Sequence, residues 1–460
     1  MKKIFAVITI LSLVFVSVCF AADTQEFTHK TSAKELAELA RVIMQKAKNS
    51  GGNSEIAGKG VNLERIISAV STLAQNNGNI NSVFGDGLQN SAEHHSAAVS
   101  AVNGLTMKLY GEAAGSGENV FLSPYSISAA LAMVYAGARG ETAKEMEQAL
   151  GFSPAVHASM GSLISQLSSV SPDIAQLHTA NAIWPSADKN ILSDYRNRVA
   201  TNYFSEITTL DYSKPEAARN TINKWVEEKT SGKIKNMVSK GAISKNTPLT
   251  LTNAVYFKSD WQSKFETAAT KQADFFTADN KKIKTNFMRQ TGYFDYFKDS
   301  GAEILELPYK AERLSMYVIL PQKGSFADFE KSLDADKIDS MIAQAARTNI
   351  AVSLPKFKME ESYNLNDALK KFGMADAFTN KANFSGMNGL LDISLGVVLH
   401  KTFIDVYEAG TEAAAATYVG MKSMAMPQKP IEFKADRPFV FLIRDNVTGV
   451  NLFIGRFMKP

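Results

Sequence analysis

At 460 residues and 45% hydrophobic content, the chain has ample apolar material for one large domain or for about two or three ordinary ones. A net charge of +4 is small for that length, and the charged residues are interspersed, which argues against nucleic acid as a partner. The single cysteine, Cys19, lies in an apolar N-terminal run, so a mature chain without that run has neither thiol chemistry nor a disulfide.

Lys2 and Lys3 precede the apolar run Ile4 to Phe20, and Ala21-Ala22-Asp23 follows it. These are the charged, apolar and small-residue regions of a secretory signal, assigned to residues 1–21, which implies a secreted, periplasmic or extracellular protein. A membrane-anchor helix is the alternative, since the run almost reaches spanning length. Lipidation of Cys19 is weaker, because Val18 stands before it where a small residue is wanted. Residues 22–96 read as a separate extension. Lys34 to Met44 and Val61 to Leu73 carry apolar residues at helical spacing, with Asn/Gly/Ser-rich breaks between and after them. The role of this extension is not legible. His94-His95 has no second ligand pair at metal spacing and reads as surface histidine, so no metal is expected.

From Ala97 the texture continues without a linker to Pro460. Ala98 to Tyr110 and Ser126 to Leu150 have helical character, the second broken near Gly137 and Gly140, and Ile222 to Val238 holds another helix with Gly232 near its end. Leu249–Phe257, Glu303–Leu307, Leu314–Leu320, Ile350–Leu354 and Phe439–Ile443 read as strands. Helices crowd the first half and strands the second, without βα alternation, which predicts a large α+β domain.

The stretch from Glu408 to Thr417, Glu-Ala-Gly-Thr-Glu-Ala-Ala-Ala-Ala-Thr, pulls two ways. Propensity favours a short helix. The flanks favour a strand, since Leu399 to Tyr407 is β-branched and aromatic, and a new alternation starts at Ile431 beyond Pro427 and Pro430. With period 2, Thr411, Ala413, Ala415, Thr417 and Val419 share one face, while Glu412, Ala414, Ala416 and Tyr418 share the wetter one. So little bulk would let the segment slide into a sheet. No Gly-x-Ser-x-Gly elbow, His-Glu-x-x-His, phosphate loop or Gly-x-Gly-x-x-Gly fingerprint occurs, so an enzyme is not expected.

Several dispersed stretches resemble the motifs of the serpin family, in family order: Asn119-Val-Phe-Leu-Ser-Pro-Tyr-Ser-Ile127, Asn181-Ala-Ile-Trp184, Trp225 to Ile234, Leu251 to Phe265, Leu354-Pro-Lys-Phe-Lys358 and Asp436 to Ile443. The resemblance covers about 97–460 and implies a serpin domain of three β-sheets and about nine helices, with an exposed reactive-centre loop at about 408–430. In that family a target serine protease cuts the loop, is acylated, and is carried across the molecule as the cut loop inserts into the main sheet. Some 15 residues at about 3.3 Å each give roughly 50 Å of travel. The implied hinge is Glu408, Gly410, Thr411, Glu412, Ala413, Ala414, Ala415, Ala416 and Thr417; Ala409 stands where the family prefers a charged residue.

Counting fifteen residues from Gly410 puts the reactive bond between Met424 and Ala425, with Met421, Lys422 and Met426 as fallback positions. Loop filler is the plain alternative for these methionines. A medium apolar bait suits elastase-, chymotrypsin- or subtilisin-like proteases, and Lys422 would suit trypsin-like ones. Ser123, Ser126, Asn253 and His400 correspond to family positions that form a buried hydrogen-bond gate beneath the central strands, and Trp261 to a tryptophan where insertion begins. The plain alternatives are a satisfied core histidine and an ordinary core aromatic. No cofactor is expected; Glu141 to Phe152, where some relatives bind polyanions, has Lys144 as its one base. The implied partner is a serine protease in covalent complex with a monomer, with no nucleic acid and no membrane after signal cleavage. A non-inhibitory serpin acting as a binding or chaperone-like protein is the alternative function.

Overall fold

The computed structural model describes residues 91–115, 117–172, 174–411 and 429–460, with the backbone alone for 91–96. The signal, Cys19 and the extension up to residue 90 therefore lie outside the described residues, as do the side chains of His94 and His95. The elements below belong to the unit Glu93–Pro460, apart from the first two residues of the opening helix.

Helix α1, Ser91–Ala114, starts ahead of the boundary drawn at 96/97 and buries Ala98, Ala101, Val102, Leu105 and Leu109 at helical spacing. Strand β1, Val120–Leu122, leads into α2, Pro124–Tyr135. Ser123 caps α2 by accepting from the Ser126 N–H, and Pro124 occupies the first turn, where its missing donor costs nothing. The helical run 126–150, expected to break near Gly137 and Gly140, is two helices, α2 and α3, Gly140–Leu150. Gly140, at φ +56°, turns the chain between them, and Gly137 leaves room for the Met387 side chain, whose Cγ would lie 2.3 Å from a Cβ there.

Next come α4, Val156–Ser168, β2, Ala175–Pro185, α5, Ser193–Tyr203, β3, Glu206–Ile207, α6, Pro215–Lys229, and β4, Leu249–Asp260. Helix α6 begins earlier than the 222–238 expectation and ends earlier too. Pro215 fits its first turn, and the Thr230 hydroxyl closes it by donating to the Val226 carbonyl and accepting from the Ile234 N–H. The second half is β5, Lys271–Phe276, β6, Lys282–Lys298, β7, Ala302–Pro308, β8, Leu314–Pro321, α7, Phe326–Lys331, α8, Ala335–Gln344, β9, Ala346–Pro355, β10, Phe357–Asn364, α9, Asn366–Lys371, α10, Ser385–Asn388, β11, Val397–Tyr407, β12, Gly410–Thr411, β13, Ile431–Lys434, β14, Phe439–Asp445, and β15, Val450–Phe457. No helix among the described residues is long and apolar enough to cross a membrane.

Among the described residues the strands form two hydrogen-bonded sheets where three were expected, and there are ten α-helices, in keeping with the expected number of about nine. The sheet count falls because β6 runs unbroken for 17 residues, carrying β5 and β9 along much of its length and β7 at its end. One sheet has the order β1-β15-β14-β8-β7-β6-β9-β13 with β5 on β6, and the other β10-β11-β12-β4-β2-β3. In the second sheet β4 and β11 are parallel neighbours. Leu249, Leu251, Val255 and Phe257 of β4 enter the main core with α2, while Ala254 and Tyr256 enter a second core with Ile222 and Val226 of α6. Burial on both faces explains why β4 reads as an almost continuous apolar and small-residue run.

Gly455 marks how tightly the first sheet is packed: a Cβ there would lie 2.6 Å from the Phe441 ring and from the Val120 carbonyl oxygen. Gly455→Ala should therefore lower unfolding stability by about 1–3 kcal/mol through overpacking, read as a lower urea midpoint. An unchanged midpoint would mean that β1 and Phe441 yield at no cost.

Candidate functional site

Strands β4 and β11 pair from Thr250/Val397 to Tyr256/Phe403 and then part. Strand β12 enters the gap antiparallel to both: Thr411 sits opposite Val406 on one side and Ser259 on the other, and Gly410 opposite Tyr407 and Asp260. In the closed ladder and across the gap alike, the β11 residue number exceeds its β4 counterpart by 147. The two strands therefore separate sideways without slipping. Position 410 must be glycine, since a Cβ would lie 2.2 Å from the Ser259 carbonyl oxygen and 2.6 Å from Asp260 Cα.

The seat of β12 is clamped by residues from four other segments. Thr411 is fully buried, with Oγ1 2.9 Å from the Tyr309 hydroxyl. Trp261 stacks on Tyr309 at 4.6 Å and 9°, donates from Nε1 to the Tyr407 carbonyl at 2.9 Å, and donates its N–H to the Ala409 carbonyl. The buried Glu408 carboxylate accepts from Thr270 Oγ1 at 2.7 Å and from Lys356 Nζ at 2.8 Å. Burial alone would push that carboxyl up, but the Lys356 ammonium and the Thr270 hydroxyl hold it below the usual range.

Lower in the same pair of strands, Ser123, Ser126, Asn253 and His400 are brought into one buried network. His400 Nε2 accepts from the Ser123 N–H at 3.1 Å, so Nδ1 carries the proton and donates to Asn253 Oδ1. Asn253 Nδ2 donates to the Ser126 carbonyl at 2.8 Å and to Ser126 Oγ at 2.5 Å, and also reaches Asn181 Oδ1. Ser123 Oγ donates to the Leu452 carbonyl at 2.6 Å. The network ties α2, β2, β4, β11 and β15 together directly beneath the closed ladder. Burial drives the His400 imidazole down to about 3, so it is neutral around pH 7.

Sequence reading did not single out Asn181, Thr270, Tyr309 or Lys356. Asn181 and Lys356 lie inside stretches that carry the serpin resemblance; Thr270 and Tyr309 have no sequence signal of their own. Glu412, Ala413, Ala414, Ala415, Ala416, Thr417, Met421, Lys422, Met424, Ala425 and Met426 lie outside the described residues. The lone base of α3, Lys144, is exposed and paired with Glu141 at 3.1 Å. No cluster of three or more His, Cys, Asp or Glu able to hold a metal occurs among the described residues.

A glycine-fitted short strand thus sits wedged between two parallel strands, above a buried serine–asparagine–histidine network. The serpin (serine protease inhibitor) family model matches residues 100–460. The chain belongs to the serpin family. An uncharacterised serpin-like protein of Thermococcus kodakarensis is 42% identical over 368 residues, 79% of this chain and 85% of the relative. Leukocyte elastase inhibitor of Bos taurus is 38% identical over 354 residues, 74% of this chain and 93% of the relative. The crystal structure of tengpin, a thermophilic serpin in the native state, matches with a TM-score of 0.72 at 30% identity, covering 79% of this chain and 94% of tengpin. The fold is thus the serpin fold.

The buried network gives this serpin a defined pH response. The unfolded chain protonates His400 near pH 6.5, the folded one only near 3, so stability is full above about 6.5 and falls by about 1.4 kcal/mol per pH unit as acid is added through that window. His157, held down to about 4 by burial and by Arg198 and Arg139, contributes with the same sign. Glu408, a depressed carboxylate, adds its loss only as pH falls below the ordinary carboxylate range. The slope of denaturant stability against pH between 6.5 and 4.5 should be shallower by about one proton in His400→Gln. Equal slopes in the two proteins would place the titration elsewhere.

Proposed function

We propose that this serpin is a secreted, monomeric suicide inhibitor of serine proteases, acting by loop cleavage, acyl-enzyme trapping and strand insertion at the bond Met424–Ala425. The observation that carries the reading is the seat of β12. Gly410–Thr411 already pairs on both edges, in the register that the closed ladder keeps. Continued one residue at a time, that register sets position 413 between Ile404 and Phe257, 415 between Thr402 and Val255, 417 between His400 and Asn253, and 420 between Val397 and Thr250 at the foot of the ladder. The residues at 411, 413, 415 and 417 then face the main core, where Thr and Ala cost little room.

In this mechanism Thr417 brings a hydroxyl to the place where His400 now donates to Asn253, so the gate exchanges one partner for another instead of losing it. Met424 lies four residues beyond position 420 and so would pass the foot of the ladder, which supports delivery of an acylated protease to the far pole. The bovine relative bears the name leukocyte elastase inhibitor, which supports an elastase-like target for an apolar bait such as Met424. Export rests on the run Ile4 to Phe20 and is read by sequencing the mature N-terminus.

Incubation with subtilisin, elastase, chymotrypsin and trypsin, followed by denaturing electrophoresis, tests the reading. An SDS-stable complex with one of the first three is the expected result; complex with trypsin alone would move the bait to Lys422. Clean loop cleavage without complex would favour a non-inhibitory binding protein. Thr411→Arg should turn inhibitor into substrate, raising the inhibitor consumed per protease by about tenfold or more, because an unpaired buried charge costs several kcal/mol and each ~1.4 kcal/mol is tenfold in a rate. Inhibition at wild-type stoichiometry would sink the insertion model. Mild peroxide, by converting Met424 to the polar sulfoxide, should slow inhibition; an unchanged rate would point to a different bait residue.

A further inference from the structure

The last pair of the closed ladder is Phe403 with Tyr256, on the sheet face opposite to that of Thr411. Their rings are 6.0 Å apart and tilted by 60° across the gap between β11 and β4, and both residues are buried. The Lys233 ammonium, from the turn after α6, lies 6.0 Å from the centre of each ring. The same turn is tied to β11 again, since Lys401 Nζ donates to the Lys235 carbonyl at 2.7 Å. On the outer flanks, His178 of β2 stacks on Tyr256 at 5.5 Å and Lys358 of β10 lies 5.1 Å over Phe403.

Immediately above this ring pair, β12 already holds the strands apart. Tyr256 and Phe403 are therefore the first contact that must open if β12 lengthens, and the register brings Ala414 to their level. An added strand widens the gap by about 4.8 Å. Rings that start 6.0 Å apart then leave the range of about 4.5–7 Å in which aromatic pairs attract, and one ammonium no longer reaches both within about 6 Å. His178 and Lys358 move with the ring each one touches, so their contacts survive the opening.

We propose that Tyr256, Phe403 and Lys233 form a latch across the fork, present in the uncut form and absent after insertion, that sets how fast the hinge strand lengthens. This rests on the insertion mechanism proposed above. Alanine at 414 is the smallest chiral residue that can wedge between the rings, whereas a bulky one would meet both at once.

The test uses the full uncut protein, a synthetic peptide with the sequence of residues 411–424, and native electrophoresis to follow its incorporation. Lys233→Met keeps the stem and removes the charge, and should speed incorporation by about three- to tenfold. Phe403→Val should speed it at least as much, while Lys358→Met, which removes a cation from one ring only, should leave the rate unchanged. The melting temperature of the loop-cleaved form should be the same for Lys233→Met and wild type. If wild type takes up the peptide and Lys233→Met does so no faster, or if Lys358→Met accelerates equally, the latch is overturned and the insertion mechanism stands. If wild type neither takes up the peptide nor traps a protease, the insertion mechanism fails and the latch with it.

Discussion

Everything distinctive in this molecule follows from one packing constraint: two parallel strands, buried on both faces, are hydrogen-bonded along most of their length and parted at one end. A central strand pair is ordinarily the most fixed part of a sheet, because each backbone group left unpaired in the interior costs free energy. Here β12 satisfies the exposed edges of β4 and β11 at the fork, so the opening carries no run of orphaned groups there. Since the strands part without slipping, the side chains on both faces keep their layers, and neither core is scrambled by the opening.

The gate follows the same logic with polar groups. His400 and Asn253 face each other across the closed ladder and bond to one another, to α2 and to β2. A hydrophobic pair at that place would be held by area alone and would lose little on sideways motion. A neutral imidazole and an amide instead lose directed hydrogen bonds as soon as the strands move, unless another donor or acceptor takes their place. The closed form is thereby specified sharply.

Much of the scaffold was legible from local pattern. The β-branched and aromatic runs in β4, β7, β8, β11 and β14 stand out because sheets buried on both faces leave little room for polar residues. Strands β2 and β6 escaped, since β2 mixes Gln176, His178, Thr179 and Asn181 among its apolar residues and β6 opens on Lys282, Lys284 and Thr285 and carries Arg289, Gln290 and Thr291 at half-exposed or exposed positions. The site was legible in a different way. Ser123 and His400 are 277 residues apart, and no periodicity connects them; dispersed family motifs did. Tyr309 and Thr270 stayed hidden because their importance lies in what arrives beside them, which only the topology fixes. The contest between helix and strand over 408–417 is resolved for Gly410–Thr411, where tertiary pairing on two edges outweighs local preference.

If the chain after Thr411 inserts as proposed, the clamp on Thr411 divides it into two zones with different tolerance for length change. On the insertion proposed above, a residue added or removed between 412 and 420 would turn every later side chain to the opposite face of the sheet, exchanging the small series for Glu, Tyr and whatever else stands on the wet side. One added beyond 420, past the foot of the ladder, changes reach alone and leaves the alternation intact. In the proposed inhibitor, variation beyond 420 would thus be free to alter which protease is offered a bond, while the segment before it would be held to a fixed count by the arithmetic of a pleated strand.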